Sequence, residues 1–254
     1  MTFCLDSIII KPENGVEIKN AIILLHGYGG DGKDISMLSL NWKRHMPNTV
    51  FICPNGHEPC AINPSGYQWF DLTKEDSDYI LEQSIKAEEV LKKFINEIKK
   101  EFKLSNNQIC LSGFSQGCMM SLNVGLTSEE KFLCIVGFSG KIINQKDLKN
   151  RINNNTETLL IHGEADQIVP STHLLEAKDF LIRNNVKVDT LLIKNCLQFC
   201  GINYNCTIFA SKIVNIDLRF TTVMFWVDSP WVTWYTHLDK TTTTMMMMMT
   251  MAII

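Results

Sequence analysis

The stretch Ile109-Cys110-Leu111-Ser112-Gly113-Phe114-Ser115-Gln116-Gly117-Cys118-Met119-Met120 decides the fold. An apolar run that stops in Gly-x-Ser-x-Gly and then turns helix-like predicts a buried strand, a sharp turn and a helix. A serine hydroxyl is a weak nucleophile at neutral pH, so a protein that uses one holds it exposed on a strained turn, beside a base that takes its proton. Gly113 and Gly117 suit that turn, because side chains there would meet the strand and helix closing on it. The helix N-terminus then aims backbone N–H groups at the reacting oxygen. The other reading of Ser115 is an ordinary turn serine. So short a pattern recurs by chance, and the flanking sequence must decide.

Working outward, further apolar runs end in small or polar residues. Ala21-Ile22-Ile23-Leu24-Leu25 runs into His26-Gly27-Tyr28-Gly29-Gly30, and Thr49-Val50-Phe51-Ile52-Cys53 into Pro54-Asn55-Gly56. Downstream, Phe132-Leu133-Cys134-Ile135-Val136-Gly137-Phe138 runs into Ser139-Gly140, and Thr158-Leu159-Leu160-Ile161 into His162-Gly163-Glu164-Ala165-Asp166. Val188–Ile193 reads as one more strand. Such unbroken runs predict strands buried on both faces. From about Asp76, apolar positions at Ile80, Val90, Leu91, Phe94, Ile95, Ile98 and Phe102 predict a long helix with Lys92, Lys93, Glu97, Lys99 and Lys100 on its other face. Helical spacing returns at Leu174, Leu175, Ala177, Phe180 and Leu181, while the span through Gly66–Asp71 reads as loop. This alternation predicts an α/β protein: a mostly parallel sheet with helices on both faces and its chemistry at the carboxyl ends of the strands.

With 254 residues and 45% hydrophobic content, the chain can build one substantial core. Net charge −3 gives no electrostatic reason to expect nucleic acid or an anionic membrane, and a small-molecule partner fits better. The nine cysteines are odd in number and scattered, several within apolar runs, and predict buried free thiols. The first residues lack a secretory pattern, which makes a reducing cytoplasm the expected location. Cys196, Cys200 and Cys206 lack paired metal-ligand spacing and have no histidine among them, and no phosphate-binding glycine loop ends in Lys-Ser/Thr, so neither metal nor cofactor is expected.

Composition breaks near Cys196. The first 195 residues hold 45 charged side chains, and residues 196–254 hold six, no glutamate and three of the five tryptophans. We therefore divide the chain into a domain at 1–195 and an aberrant tail at 196–254, which ends in a Thr/Met run and is expected to be irregular or disordered. Phe225, Trp226, Trp231, Trp234 and Tyr235 could be read as an interfacial membrane anchor, but Pro230 and the scarcity of basic residues argue against it.

The strand ends at His26-Gly27, at Gly113–Gly117 and at His162–Asp166 are more specific together than any one of them. Leu24-Leu25-His26-Gly27-Tyr28-Gly29-Gly30, Trp69-Phe70-Asp71, Gly113-Phe114-Ser115-Gln116-Gly117 and Ile161-His162-Gly163-Glu164-Ala165-Asp166-Gln167-Ile168-Val169-Pro170 resemble the phospholipase/carboxylesterase branch of the α/β-hydrolases, acyl-protein thioesterases included. The resemblance spans roughly residues 17–195 and implies a serine hydrolase of small acyl esters or thioesters. It implies Ser115 as nucleophile and Asp166, 51 residues later, as the acid that orients a histidine. The bland reading of Asp166 is a loop carboxylate capping the next helix. It also implies an oxyanion hole from the backbones of Tyr28 and Gln116, whose side chains matter less, and makes His26 a conformational residue and His162 a strand-end residue. His45, His57 and His173 read as surface or loop residues.

One element of the resemblance is missing. The family's base lies in a loop about thirty to thirty-five residues beyond the acid, where this chain reads Asn195-Cys196-Leu197-Gln198-Phe199-Cys200-Gly201. A native end replaced by unrelated sequence, as a reading-frame shift would do, accounts for both changes at once, and predicts a histidine-containing segment in another frame of the coding DNA near codon 196. His237, 71 residues past Asp166, is the remaining candidate base. Two readings follow, a serine esterase or a non-catalytic remnant that binds acyl groups.

Overall fold

The computed structural model of the chain describes residues 3–196. The expectations for the tail, including its disorder, its aromatic cluster and His237, lie outside the described residues. In chain order the elements are β1 (Ser7–Ile10), β2 (Asn20–Leu25), α1 (Gly32–Trp42), β3 (Thr49–Pro54), β4 (Glu58–Pro59), β5 (Tyr67–Gln68), α2 (Ser77–Phe102), β6 (Ile109–Phe114), α3 (Gln116–Thr127), β7 (Cys134–Phe138), α4 (Gln145–Arg151), β8 (Thr158–Gly163), α5 (Thr172–Arg183) and β9 (Val188–Ile193).

Seven strands form one sheet in the order β1-β3-β2-β6-β7-β8-β9. All neighbours are parallel except β1, which runs antiparallel along β3 with Ser7 opposite Pro54. This is the mostly parallel, doubly covered sheet that the apolar runs predict. Side chains alternate across it. Ile23 and Leu25 face Leu91, Phe94 and Ile98 of α2, whereas Ile22 and Leu24 face the opposite way with Ile35 and Trp42 of α1. A third apolar cluster joins α3, α4 and α5 through Leu122, Leu126, Leu148, Leu174 and Leu181.

Local signals set the helix ends. The Asp76 carboxylate accepts the N–H groups of Asp78 and Tyr79 at the start of α2, and Lys103 closes that helix in the left-handed conformation at φ 54°. The structure also departs from the sequence reading. The span read as loop carries the two-strand hairpin β4–β5, and β1, α1 and α4 are elements the sequence reading does not include, although Ile8-Ile9-Ile10 of β1 is a short apolar run. Cys53, Cys110, Cys118 and Cys134 are buried free thiols, as expected.

Candidate active site

Ser115 sits between the end of β6 and the first turn of α3 with φ 51° and ψ −111°. A non-glycine residue adopts such a conformation only where its surroundings impose it, at a cost of about 1–3 kcal/mol. The flanking glycines show what imposes it. A Cβ on Gly113 would lie 2.2 Å from the carbonyl carbon and oxygen of Gly117, and one on Gly117 would lie 2.2 Å from the carbonyl oxygen of Leu25. Helix α3 therefore starts in contact with the backbone of β6 and the tip of β2. The Ser115 N–H donates to Phe138 O at 2.8 Å, which pins the turn to β7. Cys118, one turn into α3, is no rival nucleophile, since burial pushes its thiol up to about 12.

Strand β2 ends beside this turn, with Leu25 paired to Gly113. The loop His26–Gly30 that follows is held by hydrogen bonds. Gly56 N–H donates to His26 Nε2 at 2.8 Å, so the ring proton lies on Nδ1, which donates to Gly27 O at 2.7 Å. Burial lowers the His26 pKa further, and the imidazole is neutral and fully engaged. The residue is a brace for the loop, as the resemblance implies, and its ring has no nitrogen left to act as a base.

Gln116 has side-chain bonds that the sequence reading does not include. Its side chain is fully buried, Oε1 accepting the Trp69 N–H at 2.9 Å and Nε2 donating to Phe70 O at 2.6 Å. The side chain thus ties the start of α3 to the Trp69–Phe70 backbone. Sequence reasoning missed this because the partners lie 46 and 47 residues away and the motif marks only local geometry. The neighbouring Asp71 anchors the same segment to α2, accepting from the Thr73 amide, the Thr73 hydroxyl and the Tyr79 hydroxyl. Those bonds, led by the Thr73 hydroxyl, hold its carboxyl below the ordinary value.

Asp166 lies three residues past β8. Strands β6, β7 and β8 are consecutive, Phe114 pairing with Phe138 and Phe138 with Ile161. The tips carrying Ser115 and Asp166 are therefore two strand spacings apart, about 10 Å, on one edge of the sheet. The Asp166 side chain is buried, and Oδ1 accepts from the N–H groups of Ile168 at 3.0 Å and Val169 at 2.9 Å. It caps its own turn and not α5, which begins at Thr172. Oδ2 is buried and hydrogen-bonded to no group among the described residues. His162 Nε2 is 3.3 Å away, but the same nitrogen lies 2.8 Å from Val169 O and its proton is directed there. A buried carboxylate with one oxygen saturated by backbone and the other unspent is equipped to orient an imidazole.

Among the described residues, none of the other histidines is bonded to Ser115 or Asp166, and His57, just past β3, keeps a buried Nδ1 without a hydrogen-bond partner there. His45 is exposed beside Arg44, His57 adjoins Glu58, and His173 bonds to Glu176 at 2.8 Å. A cleft of about 450 Å³ opens beside the His26–Gly30 loop, with Ile35, Met37, Leu38 and Phe114 among its lining. No helix among the described residues is long and apolar enough to cross a membrane.

Known proteins resemble this chain in sequence and in fold. Residues 7–196 match the model of the phospholipase/carboxylesterase family. The chain is 33% identical over 167 residues to acyl-protein thioesterase 1 of Emericella nidulans, covering 59% of this chain and 70% of the relative. It is 29% identical over 196 residues to the enzyme of the same name from Schizosaccharomyces pombe, covering 72% and 84%. Among solved structures, esterase PE8 superposes with a TM-score of 0.77 at 32% identity, over 82% of this chain and 99% of that one. The chain belongs to the phospholipase/carboxylesterase family.

Proposed function

We propose that this protein is a serine hydrolase of carboxylic esters or thioesters that works through an acyl-enzyme on Ser115. The observation that carries the reading is the conformation of Ser115, φ 51° between two glycines that admit no side chain, at the N-terminus of α3. In the competent form of this mechanism a histidine base oriented by Asp166, for which His237 is the remaining candidate in this sequence, takes the Ser115 proton, and Oγ attacks the acyl carbon. The backbone N–H groups of Gln116 and Tyr28 receive the oxyanion, each worth about 3–4 kcal/mol of barrier. Water then releases the acid by the same steps. The apolar cleft beside the loop suits an acyl chain. Free buried thiols are consistent with a reducing compartment, which we take to be the cytoplasm. No cofactor enters this mechanism.

Fluorophosphonate labelling together with p-nitrophenyl butyrate hydrolysis tests the reading. Both signals are expected, and both are lost in Ser115→Ala. One observation favours a second reading, a catalytically impaired relative that keeps acyl binding: no histidine occurs between His173 and His237. A folded chain that binds acyl ligands yet neither labels nor turns over establishes that alternative.

A further inference from the structure

The two backbone donors assigned to the oxyanion hole differ in how they are held. The Gln116 N–H belongs to a helix, whereas Tyr28 stands in a loop with Gly27, Gly29 and Gly30 as neighbours, residues that give the backbone freedom. A preorganised hole needs both N–H groups fixed relative to each other before the oxyanion forms. The segment Tyr67–Phe70 supplies that connection. On one side it grips the loop: Gly29 N–H donates to Tyr67 O at 2.9 Å, Tyr67 N–H to Gly30 O at 2.8 Å, and the Trp69 indole N–H to His26 O at 2.9 Å. On the other side it is gripped by the Gln116 carboxamide through Trp69 N–H and Phe70 O.

We propose that the Gln116 side chain is a positioning group for the oxyanion hole: it holds segment 67–70, which in turn fixes the backbone of Tyr28, so that one residue contributes the first donor and sets the second. This rests on the reading of the site given above, and it adds a role that the Gly-x-Ser-x-Gly motif does not carry. The arrangement is directional. Oε1 must accept and Nε2 must donate, because a backbone N–H faces one and a carbonyl oxygen the other.

That directionality supplies the test. Gln116→Glu keeps the shape but, when ionised, sets a carboxylate oxygen against Phe70 O with no proton between them. When protonated it restores the donor. Burial raises the pKa of the introduced carboxyl above about 4.3, so the variant passes from intact to broken between about pH 5 and about pH 8. In the full chain, amide hydrogen exchange of residues 26–30, corrected for intrinsic rates, is expected to match the unsubstituted protein near pH 5 and to accelerate on the order of tenfold or more near pH 8. Trp69→Phe, which removes the indole donor along with part of a buried ring, is expected to accelerate the same segment at both pH values and leave residues 115–118 unchanged.

A second arm reads the hole itself with butylboronic acid. Ser115 Oγ donates a lone pair to boron, its proton leaves to solvent, and a boron-bound hydroxyl of the resulting anionic tetrahedral adduct takes the oxyanion position. The affinity ratio of unsubstituted to Gln116→Glu protein is expected to rise on the order of tenfold from low to high pH. Exchange confined to residues 69–72, or the same at both pH values, overturns the proposal, as does a constant affinity ratio. An unsubstituted chain that takes up no boronate overturns the hydrolase reading, and exchange at 26–30 still decides whether the Gln116 side chain holds the loop.

Discussion

At the scale of single residues, Ser115 and Asp166 have opposite relations to stability. The turn at Ser115 exists because two glycines remove every atom that would oppose it. Gly117→Ala puts a methyl group 2.2 Å from Leu25 O, a backbone atom that cannot rotate away. We expect a loss of about 3 kcal/mol of unfolding free energy, read from the urea midpoint. Asp166 is the reverse case, because its Oδ2 is buried with no hydrogen bond among the described residues. Asp166→Asn keeps Oδ1 for the Ile168 and Val169 amides while removing a buried charge. The melting temperature is expected to hold or rise, while any Ser115-dependent turnover falls on the order of 10⁴-fold. A variant that loses stability and keeps its turnover places Asp166 among structural caps instead.

At the scale of elements, α2, α3 and α4 are joined by ions as well as by apolar contact. Glu88 projects from α2 into a site that leaves it 3% exposed, where it takes bonds of 2.8 and 3.1 Å from Arg151 of α4 and one of 3.0 Å from Asn123 of α3. Lys92 stands 3.7 Å away, one turn along α2. Arg151→Ala strips the principal counter-charge from a buried carboxylate, and we expect a loss of about 3 kcal/mol in denaturant unfolding. Elements of this kind separate what was legible in the sequence from what was not. Strands β2, β3, β6, β7 and β8 are buried on both faces, so their residues form unbroken apolar runs that identify themselves. Strand β1 is a four-residue edge strand, half-buried and held by its antiparallel pairing with β3, and β4–β5 is two residues a side. Their stability comes from partners remote in sequence, and the local pattern, three isoleucines in β1 and two residues a side in β4–β5, is too short to encode it. The site divides along the same line. The turn at Ser115 could be read because its backbone geometry demands glycines on either side, and Asp166 through the resemblance of the segment around it. The grip of the Gln116 side chain on Trp69 and Phe70 could not, because it exists only once β6 and the 67–70 segment meet.

At the scale of the whole molecule, His26 ties the carboxyl edge of the sheet together, and its titration is a property of the entire fold. Its ring joins the tip of β2 to Gly56 beyond β3, and its carbonyl takes the Trp69 indole N–H. Protonation would set an N–H on Nε2 against the Gly56 N–H, and burial already lowers the folded-state pKa below the ordinary 6.5. Once unfolded, the same histidine titrates near its ordinary value. In the window between the lowered pKa and 6.5 the unfolded state therefore binds more protons than the folded state, and stability increases with pH. The His26 contribution is complete above that window, declines as pH falls through it, and levels off below the folded value. Its slope cannot exceed one proton, about 1.4 kcal/mol per pH unit. Urea unfolding at successive pH values, with His26→Asn as the non-titrating comparison, isolates the effect from other ionising groups, since only the difference between the two slopes belongs to this ring. The unsubstituted chain is expected to show the steeper decline below pH 6.5. Parallel curves would mean that protonation costs the folded state nothing, and that the Gly56–His26–Gly27 bonds do not hold this edge of the sheet.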